Sequence, residues 1–119
     1  MAVKIYQYKR CGTCVKAIKF LEANNIEFDS IPVREQTPSK DEILKMLNTY
    51  EGNIKKLFNT SGQDYRAQGL GKKLPTMTQK EQIQLLIENG NLVKRPFLLT
   101  GETGIVGFKE DAWKALFKV

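Results

Sequence analysis

Two cysteines, Cys11 and Cys14, stand in the stretch "KRCGTC" directly after Lys9 and Arg10. They are the only cysteines in a 119-residue chain that contains no histidine. The thiolate form is the nucleophile in thiol–disulfide exchange, and a second thiol within reach can attack the resulting mixed disulfide and release the partner. The spacing fits such a pair, with Cys11 attacking and Cys14 resolving. Lys4, Lys9, Arg10, Lys16 and Lys19 fall among the first twenty residues with no acidic residue between them. That charge favours a thiolate and attracts an anionic partner, and Lys9 and Arg10 are its nearest stabilising members.

Other readings of the pair are small core residues and zinc ligation. Structural zinc takes four ligands, so two cysteines without histidine would need carboxylates or a second subunit. No metal is therefore expected. A formal net charge of +6 raises nucleic-acid binding, but neither zinc-finger spacing nor a basic segment interleaved with aromatics accompanies it, and solubility accounts for the charge equally well. The apolar runs fall far short of the ~20 residues that span a bilayer, and "VKIYQY" opens the chain without a signal-peptide pattern. The expectation is a soluble, cytoplasmic monomer. In a reducing compartment a close cysteine pair reads as catalytic or redox-sensing rather than as a structural staple.

Specific elements must hold the pair. "VKIYQY" alternates as a short strand does. A helix follows, with Cys14, Ile18 and Leu21 on one face, Val15 and Ala17 alongside, and Asn24 and Asn25 at its end. "IEFDSIPV" reads as a second strand with Pro32 at its end. Ser39 with Glu42, and Thr78 with Glu81, have capping-box spacing. The first precedes the stripe Ile43, Leu44, Met46, Leu47 and Tyr50; the second precedes Ile83, Leu86 and Ile87, with Gly90 closing that helix. "NIKKLF" suggests a short helix, and "NTSGQDYRAQGLGKKLP" reads as turns around Gly62, Gly69 and Gly71 with a brief helical turn inside. "RPFLLT" and "GIVGF" flank "GETG" as a hairpin. "EDAWKALF" closes the chain as a helix with Ala112, Trp113 and Leu116 on one side.

The predicted order is strand, helix, strand, helical insert, hairpin, helix. This is an α/β chain whose CxxC lies at the first strand-to-helix turn, the thioredoxin-like arrangement of a mixed sheet flanked by helices. A single domain over 1–119 is expected, with a core of 1–34 and 93–119 and a helical insert at 35–92. At a helix N-terminus the unpaired N–H groups and the macrodipole lower a thiol pKa from ~8.5 to roughly 3.5–7.5, so a general base is unnecessary.

"IYQYKRCGTCVKAIKFLEANNIEF", "LFNTSGQDYRAQGL" and "VKRPFLLTGETGIVGF" together resemble the family of glutaredoxin-coupled arsenate reductases and Spx-type transcriptional regulators, over nearly the whole chain. The resemblance implies that Arg95 and Pro96 bind substrate beside the cysteine turn, with the proline cis. It also implies no bound cofactor, with glutathione, glutaredoxin or thioredoxin as electron donor. Such reductases hold an oxyanion with three arginines. Arg95 matches one, while Asn59 and Gly104 stand where the others align, which predicts weak arsenate turnover because each lost charge-assisted bond is worth roughly 1.5–3 kcal/mol. The reductases also often carry serine where Cys14 stands and a histidine near Gln7. The expected function is thiol–disulfide oxidation and reduction with a thiol protein or glutathione as partner. The alternative is an Spx-like redox sensor binding the RNA polymerase α subunit, for which Gly52 lies in the contact region; as a helix C-cap, Gly52 has a purely local reading.

Overall fold

The computed structural model describes residues 2–101 and 103–119; within "GETG", Glu102 lies outside the described residues. Four strands form one sheet in the order β2-β1-β3-β4, namely β1 (Lys4–Gln7), β2 (Asp29–Pro32), β3 (Phe97–Leu99) and β4 (Gly104–Val106). β1 pairs parallel with β2 and antiparallel with β3, and β3 pairs antiparallel with β4. The parallel pair needs a crossover, supplied by α1 (Gly12–Ala23). The long connection from β2 to β3 holds α2 (Lys40–Thr49), α3 (Gln63–Ala67), α4 (Leu70–Lys73), α5 (Gln79–Glu88) and short 3-10 turns, and α6 (Glu110–Phe117) closes the chain. This topology is the thioredoxin-like fold that the strand and helix order predicts.

The strand period of two divides the apolar residues between two cores. Tyr6, Phe97 and Leu99 face a cluster with Ile43, Met46 and Leu86. Ile5 and Leu98 face the opposite cluster, with Ala17, Phe20, Leu21 and Trp113. Helices α1 and α6 therefore pack on one face of the sheet, and α2 and α5 on the other. Trp113 is fully buried and meets Phe20 edge-on with centroids 6.0 Å apart. The inward face of α1 is Cys14, Ala17, Phe20 and Leu21, whereas Val15 is exposed. Leu44 in α2 and Ala112 in α6 are exposed as well. The inward positions are instead Ile43, Met46 and Leu47 in α2 and Trp113 in α6.

Both capping boxes are present, Ser39 with Glu42 and Thr78 with Glu81. Glu42 does more than cap. It accepts hydrogen bonds from Lys4 Nζ at 2.8 Å and from the Tyr6 hydroxyl at 2.6 Å, tying α2 to β1. Burial works to raise its pKa, but these bonds and the capping contact prevail and hold it below the usual carboxylate range. Burial, with the Glu42 contact behind it, pushes the Tyr6 hydroxyl in the opposite direction, upward.

The end of α2 is a Schellman motif: Glu51 takes left-handed φ 56°, its N–H meets Asn48 O at 3.1 Å, and the Gly52 N–H meets Leu47 O at 2.9 Å. The segment after Phe58 is more helical than its glycines suggest. Tyr65, Leu70 and Leu74 are buried and fix α3, α4 and a following turn, with Gly69 (φ 63°) as the joint between the two helices.

Gly90 differs from the sequence expectation. α5 ends at Glu88 and is capped by Asn89 in extended geometry, so Gly90 does not close the helix. A Cβ at Gly90 would lie 1.9 Å from the Val33 carbonyl oxygen; the glycine is there because two backbones touch. Gly90→Ala is expected to cost about 1–3 kcal/mol or more. A urea titration reads this directly, and an unchanged midpoint would show that the contact relaxes freely.

Candidate active site

β1 ends at Gln7, and the chain turns through Tyr8, Lys9 and Arg10, with the Cys11 N–H donating to Tyr8 O at 3.0 Å. Cys11 is the N-cap of α1, in extended geometry, and its sulfur accepts the Cys14 N–H at 3.3 Å. A thiol here takes the role usually filled by serine, aspartate or asparagine. Both cysteines are free thiols; Cys11 is partly exposed and Cys14 wholly buried. Burial pushes the Cys14 thiol up to about 12, the adjacent Cys11 adds to the rise, and the Tyr8 backbone and the Arg95 charge oppose it. The two sulfurs thus sit in different surroundings, one reachable and one sealed.

Arg95 and Pro96 are joined by a cis peptide bond immediately before β3. The antiparallel β1–β3 pairing, Tyr6 opposite Phe97, carries them toward the end of β1 where the cysteine turn begins. The Arg95 guanidinium lies 5.1 Å from the centroid of the Tyr8 ring, and Arg34 lies 4.8 Å from the same ring. Both distances are within cation–π range. Arg95 Nη1 is buried with no hydrogen-bond partner among the described residues. An unpaired buried guanidinium nitrogen costs free energy and suits an incoming anion. Arg34 and Tyr8 were not singled out from the sequence. Arg34 is distant along the chain from both the cysteines and Arg95, and only the β2–β1–β3 adjacency brings it to Tyr8.

The same two arginines help hold the Asp64 carboxyl below its usual range, behind the larger effect of hydrogen bonds from Asn89 (3.0 Å) and Asn91 (3.1 Å). Lys9 and Arg10 lie exposed on the turn. The cation that acts on the Cys14 sulfur is Arg95.

A cleft of about 660 Å³ opens beside the turn. Thr13, between the two cysteines, lines it together with Arg95 and the β4 residues Ile105 and Val106, and the cysteine sulfurs themselves are not in its wall. Among the described residues no group of three or more His, Cys, Asp or Glu side chains could hold a metal ion, and no helix is long and apolar enough to cross a membrane.

The model of the family described as the ArsC family matches residues 6–116. This chain belongs to the ArsC family. Uncharacterized protein YusI of Bacillus subtilis is 44% identical to this ArsC-family chain over 96% of its length and 97% of YusI. The global transcriptional regulator Spx of Streptococcus mutans is 26% identical, over 95% of this chain and 81% of Spx. Among solved structures, a putative ArsC family related protein from Bacteroides fragilis superposes with a TM-score of 0.90 at 43% identity, covering 98% of both chains. The arsenate reductase and Spx-like grouping inferred from the motifs is thus the chain's own.

The positions that the resemblance sets against further oxyanion arginines are engaged otherwise in this ArsC-family chain. Asn59 donates to Asn91 O at 3.4 Å. At Gly104 a Cβ would lie 2.6 Å from Met46 Cε and 2.8 Å from Leu98 O, so that position has no room for any side chain and does not border the cleft. Gln7, near the aligned histidine, donates to Ser30 Oγ at 3.0 Å and links β1 to β2.

Iodoacetamide at neutral pH is expected to label Cys11 and spare Cys14. Burial raises the Cys14 pKa, which leaves little thiolate there at pH 7, and Cys14 is also sealed from solvent. Peptide mapping after brief alkylation checks this; equal labelling of both cysteines would contradict it.

Proposed function

We propose that this ArsC-family chain is a thiol–disulfide oxidoreductase in which Cys11 is the nucleophile and Cys14 the resolving thiol. The observation that carries the reading is the pairing of a partly exposed N-cap Cys11 with a buried Cys14 one helical turn away, linked by the Cys14 N–H to the Cys11 sulfur. The Cys11 thiolate attacks a partner disulfide, forming a Cys11–partner bond and releasing one partner thiolate, which takes up a proton. Cys14 then loses its proton and attacks the Cys11 sulfur, so the mixed disulfide breaks and the second partner thiol leaves. The partner gains two electrons and the chain holds a Cys11–Cys14 disulfide. Two equivalents of glutathione, or a reduced glutaredoxin or thioredoxin, return it to the dithiol. In this reading Arg95 and Pro96 bind the partner beside the cysteine turn. The segments 1–34 and 93–119 form the redox core, and 35–92 is an insert on the opposite sheet face.

Arsenate is the less favoured substrate. One arginine of the expected three stands at the cysteine turn, and packing closes Gly104 to a replacement. With glutathione and glutaredoxin supplied, a peptide disulfide is expected to be reduced at a rate at least about tenfold above that with arsenate, reflecting the loss of one or more charge-assisted bonds. The coupled oxidation of NADPH measures both, and arsenate turnover that matches or exceeds peptide turnover would reverse the assignment.

The Spx relationship and the exposure of Gly52 favour a second reading. Gly52 takes φ 84° with open space where a Cβ would stand. The surface around it is free to meet a protein, and in this reading the partner is the RNA polymerase α subunit while the cysteine pair senses oxidation.

A further inference from the structure

The cleft beside the cysteine turn is lined by Lys55, Lys56, Lys94, Arg95 and Lys109 and by no carboxylate. These five cations come from three separate stretches: the 3-10 turn Ile54–Leu57, the segment entering β3, and the cap of α6. The one ion pair among the described residues joins Lys4 to Glu42, so none of the five makes a direct ion pair there, and the carboxylate that feels one of them, Asp64 with Arg95, stands outside the cleft wall. Arg95 Nη1 is buried without a hydrogen-bond partner among the described residues. Such a concentration of one sign inside a concave surface focuses the field on an anionic visitor.

Size then limits what the visitor is. An inorganic oxyanion takes the room of a few waters, each about 30 Å³, and would leave most of 660 Å³ empty. It could also meet only some of cations spread over three segments. Tyr50, Phe58 and Phe108 add apolar walls between the charges, which suits a chain with both carboxylates and aliphatic parts. We infer that the cleft docks an acidic peptide segment of the partner protein, Asp- or Glu-rich and next to the disulfide that Cys11 attacks. The inference names the substrate class of the oxidoreductase reading and rests on it, but the docking is noncovalent and can be measured alone.

Two synthetic peptides with the same disulfide test it, one flanked by Asp and Glu and the other by Gln. The reduced full-length chain is expected to reduce the acidic peptide with kcat/KM about tenfold or more above the Gln peptide, the advantage shrinking as salt rises from about 0.05 M to about 0.5 M. The triple variant Lys55→Glu, Lys56→Glu, Lys94→Glu is expected to lose or reverse the preference, with circular dichroism confirming that it folds. A cysteine-free acidic peptide, followed by fluorescence anisotropy, reads docking without chemistry. Reduction of both peptides at equal rates would overturn the docking inference and leave the oxidoreductase intact. Binding of the cysteine-free peptide without reduction of either disulfide would support docking while removing the redox reading. A single-stranded oligonucleotide of equal length that binds as tightly as the acidic peptide would overturn the inference, because the cleft would then be a general polyanion site.

Discussion

Cys11→Ser is expected to lower disulfide reduction by about a thousandfold or more while leaving the fold unchanged. A serine hydroxyl is not ionised near neutral pH, and no histidine exists in the chain to act as its base. The structural role of the position, by contrast, suits serine. Cys11 caps α1 by accepting the Cys14 N–H, and serine is among the preferred N-caps. The variant therefore separates chemistry from stability. Turnover should vanish with Tm equal to or slightly above that of the parent. Substantial retained activity would show that Cys11 is not the nucleophile, and a large fall in Tm would show that its sulfur serves packing.

Much of this scaffold follows from local pattern. The alternation in β1, the two capping boxes, Asn24 and Asn25 at the end of α1, and the helix Glu110–Phe117 are set by residues that are near neighbours in the chain. Side-chain facing was less legible. Val15 and Phe20 are both apolar, and only the presence of Trp113 and Phe108 across the interface decides that Phe20 turns inward. Gly90 looked like a helix terminator because glycine commonly is one; its actual reason, a carbonyl from Val33, comes from the turn after β2, far away in sequence. The site divides in the same way. The cysteine pair is local and was readable from spacing, and Arg95–Pro96 was readable through the family resemblance. The Arg34–Tyr8–Arg95 arrangement and the five-cation cleft were not, because each assembles residues from segments that meet only through the sheet order and the insert.

The second large effect concerns release. In the proposed mechanism Cys14 attacks Cys11 once the latter is joined to a partner, and no other thiol exists in the chain to replace it. Removing it leaves the attack step and deletes the escape step, so the mixed disulfide should accumulate. Cys14 is buried, so a serine there places a hydroxyl in an apolar setting. Cys14→Ala, which fills the site without a polar group, guards against a folding defect. Either variant should convert a transient intermediate into a stable adduct, a change from near absence to a large fraction of the recovered protein.

The most direct measurement is recovery of the Cys14→Ser and Cys14→Ala proteins from cells under nonreducing conditions, followed by identification of what is attached before and after reductant. The predicted result is protein or glutathione adducts on Cys11 that reductant releases, absent when Cys11→Ser is added. Recovery of RNA polymerase α subunit unaffected by reductant, with no covalent adduct on Cys11, would contradict the oxidoreductase and establish the redox-sensing regulator in its place.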